Sequence, residues 1–189
     1  SVAAVNGPSS TVVAGQPEAL DELLARCEAS GVWARRIPVD YASHSAHVDE
    51  IQDTLAHELE GVAPRSGRVA FHSTVTGGLL DTAELGASYW FRNLRGKVRL
   101  AEVVTGLAAP GTVFIEVSAH PVLLSGITET LGDGGAAVGT LHRDSGGLDR
   151  FAHSAAEAWT HGVTLDWTTL LTPFGARAVE LPSYPFQRQ

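Results

Sequence analysis

The chain has 189 residues, 44% of them hydrophobic and 18% charged, enough for a buried core and outside the disordered, collagen-like and coiled-coil compositions. Lys+Arg 13 against Asp+Glu 21 gives a formal net charge of −8, which argues against nucleic acid or an anionic membrane as partner. The single cysteine, Cys27, cannot form an internal disulfide, no run approaches roughly 18 uninterrupted apolar residues, and the amino end does not read as a secretory signal. A reduced, cytoplasmic location is expected, with no membrane span.

In chain order, Val2–Val5 and Thr11–Ala14 read as short strands around the turn residues Asn6, Gly7 and Pro8. Pro17 stands at a first helical position, Leu20, Leu23, Leu24 and Cys27 recur with helical period, and Gly31 supplies a left-handed stop. This pattern predicts a helix with Cys27 on its core face. Trp33–Val39 reads as a strand, and Val48, Ile51, Leu55 and Leu59 mark a second helix ending near Gly61 and Pro64. Val69–Val75 is expected as a strand running to Gly77 and Gly78, and Val98–Leu107 as a helix. Val113–Val117 has the β-branched look of a buried parallel strand. Pro121 can open a helix stopped by Gly132, Ala137–Leu141 reads as a strand and Leu148–Trp159 as a helix. Alternation of this kind over 43–161 implies an α/β layer with a largely parallel sheet. Beyond Gly162 the chain turns extended over Val163–Trp167. From Val179 to Phe186 prolines block regular structure, so a linker docked through Trp167, Leu181, Tyr184 and Phe186 is expected.

Histidines are the main chemical resource, since the one cysteine is placed as core and no Gly-x-Ser-x-Gly elbow occurs in the chain. His44 and His47 are three residues apart, a weak metal signal without Cys partners or an H-E-x-x-H frame, and no metal is assigned. His44 follows Trp33–Val39 at a strand-to-helix junction, the end of a strand where open α/β sheets place their sites. The plainer alternative is that Ser43 or Ser45 caps the following helix and His44 is an exposed junction residue.

Six blocks then combine: Ala4–Ser9 (AVNGPS), Tyr41–His44 (YASH), Tyr89–Arg95 (YWFRNLR), Phe114–Ser118 (FIEVS), His120–Leu123 (HPVL) and Leu181–Arg188 (LPSYPFQR). In this order they make the chain resemble, essentially end to end, the carboxyl half of an acyltransferase domain of modular type I polyketide synthases, followed by its linker. In that family a serine on a nucleophile elbow attacks an acyl-CoA thioester while a histidine takes its proton, and His44 matches that histidine. The resemblance places the serine, and an arginine that pairs with the substrate carboxylate, upstream of Ser1. The chain also opens on an apolar run without an initiator Met, so it reads as a piece of a longer polypeptide.

The resemblance further implies a ping-pong transfer from CoA to the phosphopantetheine thiol of an acyl carrier protein, with no metal or redox cofactor. The family's simpler bacterial relatives orient the histidine through a glutamine in a block matching 93–97. Here Gly96 holds that place and can offer only its backbone carbonyl, so Gly96 is not counted as catalytic. In this family Tyr-Ala-Ser-His goes with methylmalonyl-CoA and His-Ala-Phe-His with malonyl-CoA. Tyr41, Ala42 and Ser43 are therefore the expected specificity residues, the small Ser43 leaving volume for an α-methyl. His120 is expected to serve loop structure, and Arg92, Arg95 and Arg99 either to meet an acidic carrier protein or to form a solvated face.

The fold implied is α/β: 1–40 part of a ferredoxin-like small subdomain, 41–147 the carboxyl part of an α/β-hydrolase-like large subdomain, and 148–189 a terminal helix and linker. Implied partners are methylmalonyl-CoA, the carrier protein, the upstream half of the acyltransferase, and adjacent ketosynthase and linker domains of the same polypeptide. Two other functions stay open, a non-catalytic docking unit against a ketosynthase and an acyl-thioester hydrolase.

Overall fold

In the computed structural model, which describes residues 1–177, 179–180 and 182–183, the first two strands, β1 (Val2–Gly7) and β2 (Ser10–Val13), pair antiparallel with Gly7 opposite Ser10. Helix α1 (Pro17–Ala29) begins at the proline, whose fixed φ suits a first turn, and carries Glu18 and Arg26 at the ends that complement its dipole. Gly31 follows it at φ 68. A 3-10 turn (Ala46–Ile51) runs into α2 (Gln52–Glu58), and β3 (Phe71–Ser73) pairs antiparallel with β4 (Gly78–Leu80). Then come α3 (Ala87–Arg95), α4 (Leu100–Leu107), β5 (Thr112–Glu116), α5 (Leu124–Leu131), β6 (Gly135–Gly139), α6 (Leu148–Thr160) and α7 (Trp167–Leu171).

The core forms where α4 and α5 pack on β1 and on the β5–β6 pair. Val104, Ile127 and Leu131 are buried at its centre, with Leu100, Phe114, Leu123 and Ala137 against them. Each fully buried side chain of the Val, Leu or Ile type contributes about 1.5–3 kcal/mol, so this cluster is the main apolar anchor for the surrounding loops. A second, polar anchor lies under α3, where Tyr89 and Ser73 are both buried and their hydroxyls meet at 2.9 Å. Among the described residues, no helix is long and apolar enough to cross a membrane.

Several expectations from the sequence are corrected here. Strand β5 is parallel to β6, as its composition suggests, but the described sheets are three separate pairs, two of them antiparallel. The layer over 43–161 is thus not a largely parallel sheet. Strand β5 is half-buried rather than buried, with Ile115 45% exposed and Val117 beyond its end. Trp33–Val39 forms no strand: it is exposed throughout, and β-prone composition produces a strand only when a neighbour supplies ladder bonds.

Cys27 is half-buried rather than core, because α1 buries none of its residues among the described elements. The expected strand at Val69–Val75 shrinks to β3, since the turn over 74–77 folds it back into β4. Pro121 precedes α5 by three residues instead of opening it. Trp167 does not end an extended run but starts α7, because the Asp166 carboxylate caps it by accepting from the Thr169 backbone N–H at 3.0 Å. Helix α3 is an element that sequence periodicity missed. The expected docking of Leu181, Tyr184 and Phe186 lies outside the described residues.

Candidate functional site

His44 is held by backbone rather than by a strand end. Its φ of 59 is left-handed, a conformation costing a non-glycine residue roughly 1–2 kcal/mol, which must be offset by surrounding contacts. Three contacts do so. The His44 N–H donates to the Leu94 carbonyl at 2.8 Å. The buried Ser45 hydroxyl donates to the Ala42 carbonyl at 2.6 Å. Ser45 also accepts from the His47 N–H at 3.3 Å, capping the 3-10 turn that follows.

The ring is fixed as well. His44 Nδ1 lies 2.7 Å from the Gly96 carbonyl oxygen, and a carbonyl can only accept, so Nδ1 carries the hydrogen in the neutral imidazole. The basic lone pair is left on Nε2. Gly96 is itself pinned: its N–H donates to Arg92 O at 2.7 Å at the end of α3. Two residues on, Val98 donates to Ala3 O at 2.8 Å and accepts from the Val5 N–H at 2.9 Å, bridging onto β1. The acceptor is therefore anchored on both sides, to a helix terminus and to a strand. The contact to the His44 ring thus needs no side chain at position 96, because the backbone carbonyl makes it.

His44 is half-buried, which excludes the reading of a freely exposed junction residue, although Ser45 does cap the turn as that reading proposed. Ala42 and Ser43 are half-buried beside it, and Tyr41 is 67% exposed. His47 turns to a different partner, its Nε2 lying 3.1 Å from the Gln16 side-chain nitrogen. Among the described residues no three His, Cys, Asp or Glu side chains gather as a metal-ligand group.

His120 stays in its loop, its Nδ1 accepting from the Arg143 N–H at 3.3 Å and its ring edge-on to His142 at 4.8 Å. Two of the three arginines weighed as a solvated face are tied into the structure. Arg95 Nε donates to Asp49 at 2.7 Å, and Arg99 pairs with Glu102 while donating to the Thr76 carbonyl at 2.6 Å. Each partner of the Arg99–Glu102 pair stabilises the other's charged form: the hydrogen bond raises the guanidinium above its ordinary value and holds the carboxyl below the usual carboxylate range. Sequence reasoning missed the Leu94 carbonyl and the Asp49–Arg95 pair. The only signal for either was the N-L-R-G block ending α3.

Residues 1–165 match the family described as "Acyl transferase domain". The chain is 50% identical over 191 residues to the pikromycin polyketide synthase component PikAII of Streptomyces venezuelae, covering 100% of this chain but 5% of that protein. The solved acyltransferase domain from module 8 of the salinomycin polyketide synthase superposes with a TM-score of 0.85 at 50% identity, over 89% of this chain and 41% of that one. An acyltransferase domain of SpnD, solved in complex with 2-(pent-4-yn-1-yl)malonyl, superposes with a TM-score of 0.74 at 28% identity, over 86% and 41% of the two chains. The chain thus spans about a twentieth of the first relative and two fifths of the solved domains. With the α/β architecture shared at this level, the chain belongs to the acyltransferase domains of modular type I polyketide synthases.

Proposed function

We propose that this chain supplies the general base of an acyltransferase that moves a methylmalonyl group from CoA, through an acyl-serine, to the phosphopantetheine thiol of an acyl carrier protein. The observation that carries the reading is the His44 Nδ1 to Gly96 carbonyl contact of 2.7 Å, which leaves Nε2 as the basic nitrogen. A serine outside these 189 residues is the nucleophile. His44 Nε2 takes the hydroxyl proton as the serine oxygen attacks the thioester carbonyl, and gives that proton to the departing CoA sulfur. In the second half it takes the proton of the phosphopantetheine thiol, whose sulfur attacks the acyl-serine, and returns it to the serine oxygen. Protons and electrons balance without a metal or redox cofactor.

Tyr41, Ala42 and Ser43 select the extender, the small Ser43 making room for the α-methyl. The substituted malonyl group held by the SpnD domain supports a malonyl-class substrate. Residues 1–40 belong to a ferredoxin-like small subdomain, 41–147 to an α/β-hydrolase-like large one and 148–189 to a terminal helix and linker. The ketosynthase, linker domains and remaining acyltransferase half are neighbours on one cytoplasmic polypeptide.

The test gives the complete polypeptide radiolabelled methylmalonyl-CoA. Label passed to a carrier protein, and lost in His44→Gln, is the expected result. Dominant release of free acid would assign a hydrolase instead, and an unlabelled enzyme a docking unit.

A further inference from the structure

The chain brings His44 and its acceptor together from two segments 52 residues apart, and a single ion pair ties those segments at that point. Asp49 lies in the 3-10 turn that begins two residues after His44, and Arg95 is the last residue of α3, directly before Gly96. Arg95 Nε donates to Asp49 Oδ1 at 2.7 Å. We infer that the Asp49–Arg95 ion pair is a positioning device for His44, holding the imidazole against the Gly96 carbonyl and so setting which ring nitrogen is basic.

Three features make this pair more than a surface contact. It closes a small circuit, since the His44 N–H is bonded to Leu94 O and the His44 ring to Gly96 O, the residues on either side of Arg95. The circuit holds His44 in a left-handed conformation that relaxes once its tethers loosen. Finally, the far side of Gly96 is already fixed through Val98 to β1, while on the near side the Asp49–Arg95 pair adds a side-chain tie to the packing of the 3-10 turn, with its buried Val48, against α3. The pair is partly exposed, so its effect is small in stability and is felt mainly as ring orientation.

The inference rests on His44 being the base, and the experiment separates the two. Histidine ring nitrogens are labelled with nitrogen-15 in the complete acyltransferase polypeptide, and the His44 tautomer is read by NMR in Asp49→Asn, Arg95→Gln and the exchanged pair Asp49→Arg/Arg95→Asp. Both single variants should lower the fraction carrying hydrogen on Nδ1 and reduce kcat for transfer by about fivefold with KM unchanged, the size expected of a partly exposed pair. The exchanged pair should restore both. Asp21→Asn, which breaks the exposed 3.0 Å pair between Asp21 of α1 and Arg36 beyond that helix, should change neither.

A direct charge effect would change the rate in opposite directions in the two single variants, whereas loss of positioning moves the tautomer and the rate the same way in both. Opposite responses, or an unchanged tautomer and rate in both, overturn the inference even if His44→Gln abolishes transfer. Full transfer by His44→Gln overturns the base assignment and the inference together.

Discussion

A β-carbon placed on Gly7 would lie 2.7 Å from the α-carbon of Gly126, and one placed on Gly126 would lie 2.5 Å from the Asn6 carbonyl oxygen. The end of β1 and the first turn of α5 therefore touch backbone to backbone, with room for no side chain. Gly126 is buried and sits beside Ile127 of the core cluster, so the clash cannot be relieved by swinging outward. Gly126→Ala should destabilise the protein by about 1–3 kcal/mol, the usual cost of overpacking. Urea unfolding should show a lower midpoint with the slope unchanged. An alanine variant as stable as the parent would mean that the two elements are not in contact.

What the sequence made legible follows from how local each signal is. Pro17 and the apolar repeat behind it mark α1, and the turn residues between Val5 and Ser10 mark the first hairpin, because these cues act within a few residues. Pairing is not local. Trp33–Val39 has the composition of a strand and no partner among the described residues, while the run expected at Val69–Val75 folds back on itself into a hairpin. At the site, His44 stood out by residue type and motif. Its Leu94 and Gly96 partners are backbone carbonyls about 50 residues away, atoms that every residue possesses and that no motif can single out.

Glu116 caps a helix to which it does not belong. At the end of β5 its carboxylate accepts from the Val122 and Leu123 N–H groups, both at 2.9 Å, and from the Ser118 hydroxyl at 3.1 Å. The two N–H groups lie just before α5, that of Leu123 at its N-cap, where N–H groups have no partner within the helix and the dipole favours negative charge. Glu116→Ala should lower stability by about 0.5–2 kcal/mol, the range for loss of a cap, and Glu116→Gln by less because one acceptor oxygen remains. Amide exchange at Val122 and Leu123 should accelerate in the alanine variant, and unchanged protection there would contradict the capping role.

Asp81 gives the structure a local sensitivity to acid. Its carboxylate accepts from the Ala83 N–H at 2.9 Å and from the Ser66 hydroxyl at 2.9 Å, and these bonds, the backbone one foremost, hold its pKa below the usual carboxylate range. A folded value below the unfolded one, near about 3.9, means the contribution is fully present above that pH and is lost as pH falls through the folded value. The Ala83 amide and the Ser66 contact should therefore survive at pH 5 and loosen only well below pH 4, as followed by NMR titration. In Asp81→Asn the same signals should show no such acid transition.

The selectivity reading makes a quantitative demand on Tyr41 and Ser43. Exchanging them for the pair found in malonyl-type family members, Tyr41→His with Ser43→Phe, puts a phenyl ring where a hydroxymethyl group stands beside His44. One methyl group in a pocket is worth about 1–3 kcal/mol, so the preference for methylmalonyl-CoA over malonyl-CoA should fall by about 10–200-fold in direct competition. The rate with malonyl-CoA should hold, because the His44–Gly96 contact is untouched. An unchanged ratio would count against these residues as selectors.

Gly96 tests the orienting contact from its other side. A β-carbon there would lie 2.8 Å from the Arg92 carbonyl, the same oxygen that accepts the Gly96 N–H. Alanine must therefore push the peptide off the end of α3 and carry the Gly96 carbonyl away from His44 Nδ1. A misplacement of about 1 Å near reacting groups can cost about 100-fold, so Gly96→Ala should lower kcat for transfer by about 10–100-fold while KM for the acyl-CoA changes little. The drop should be far smaller than in His44→Gln, because the base is still present and only its aim is altered. If Gly96→Ala transfers at the parent rate, the carbonyl does not orient the ring, and the choice of Nε2 as the basic nitrogen loses its support.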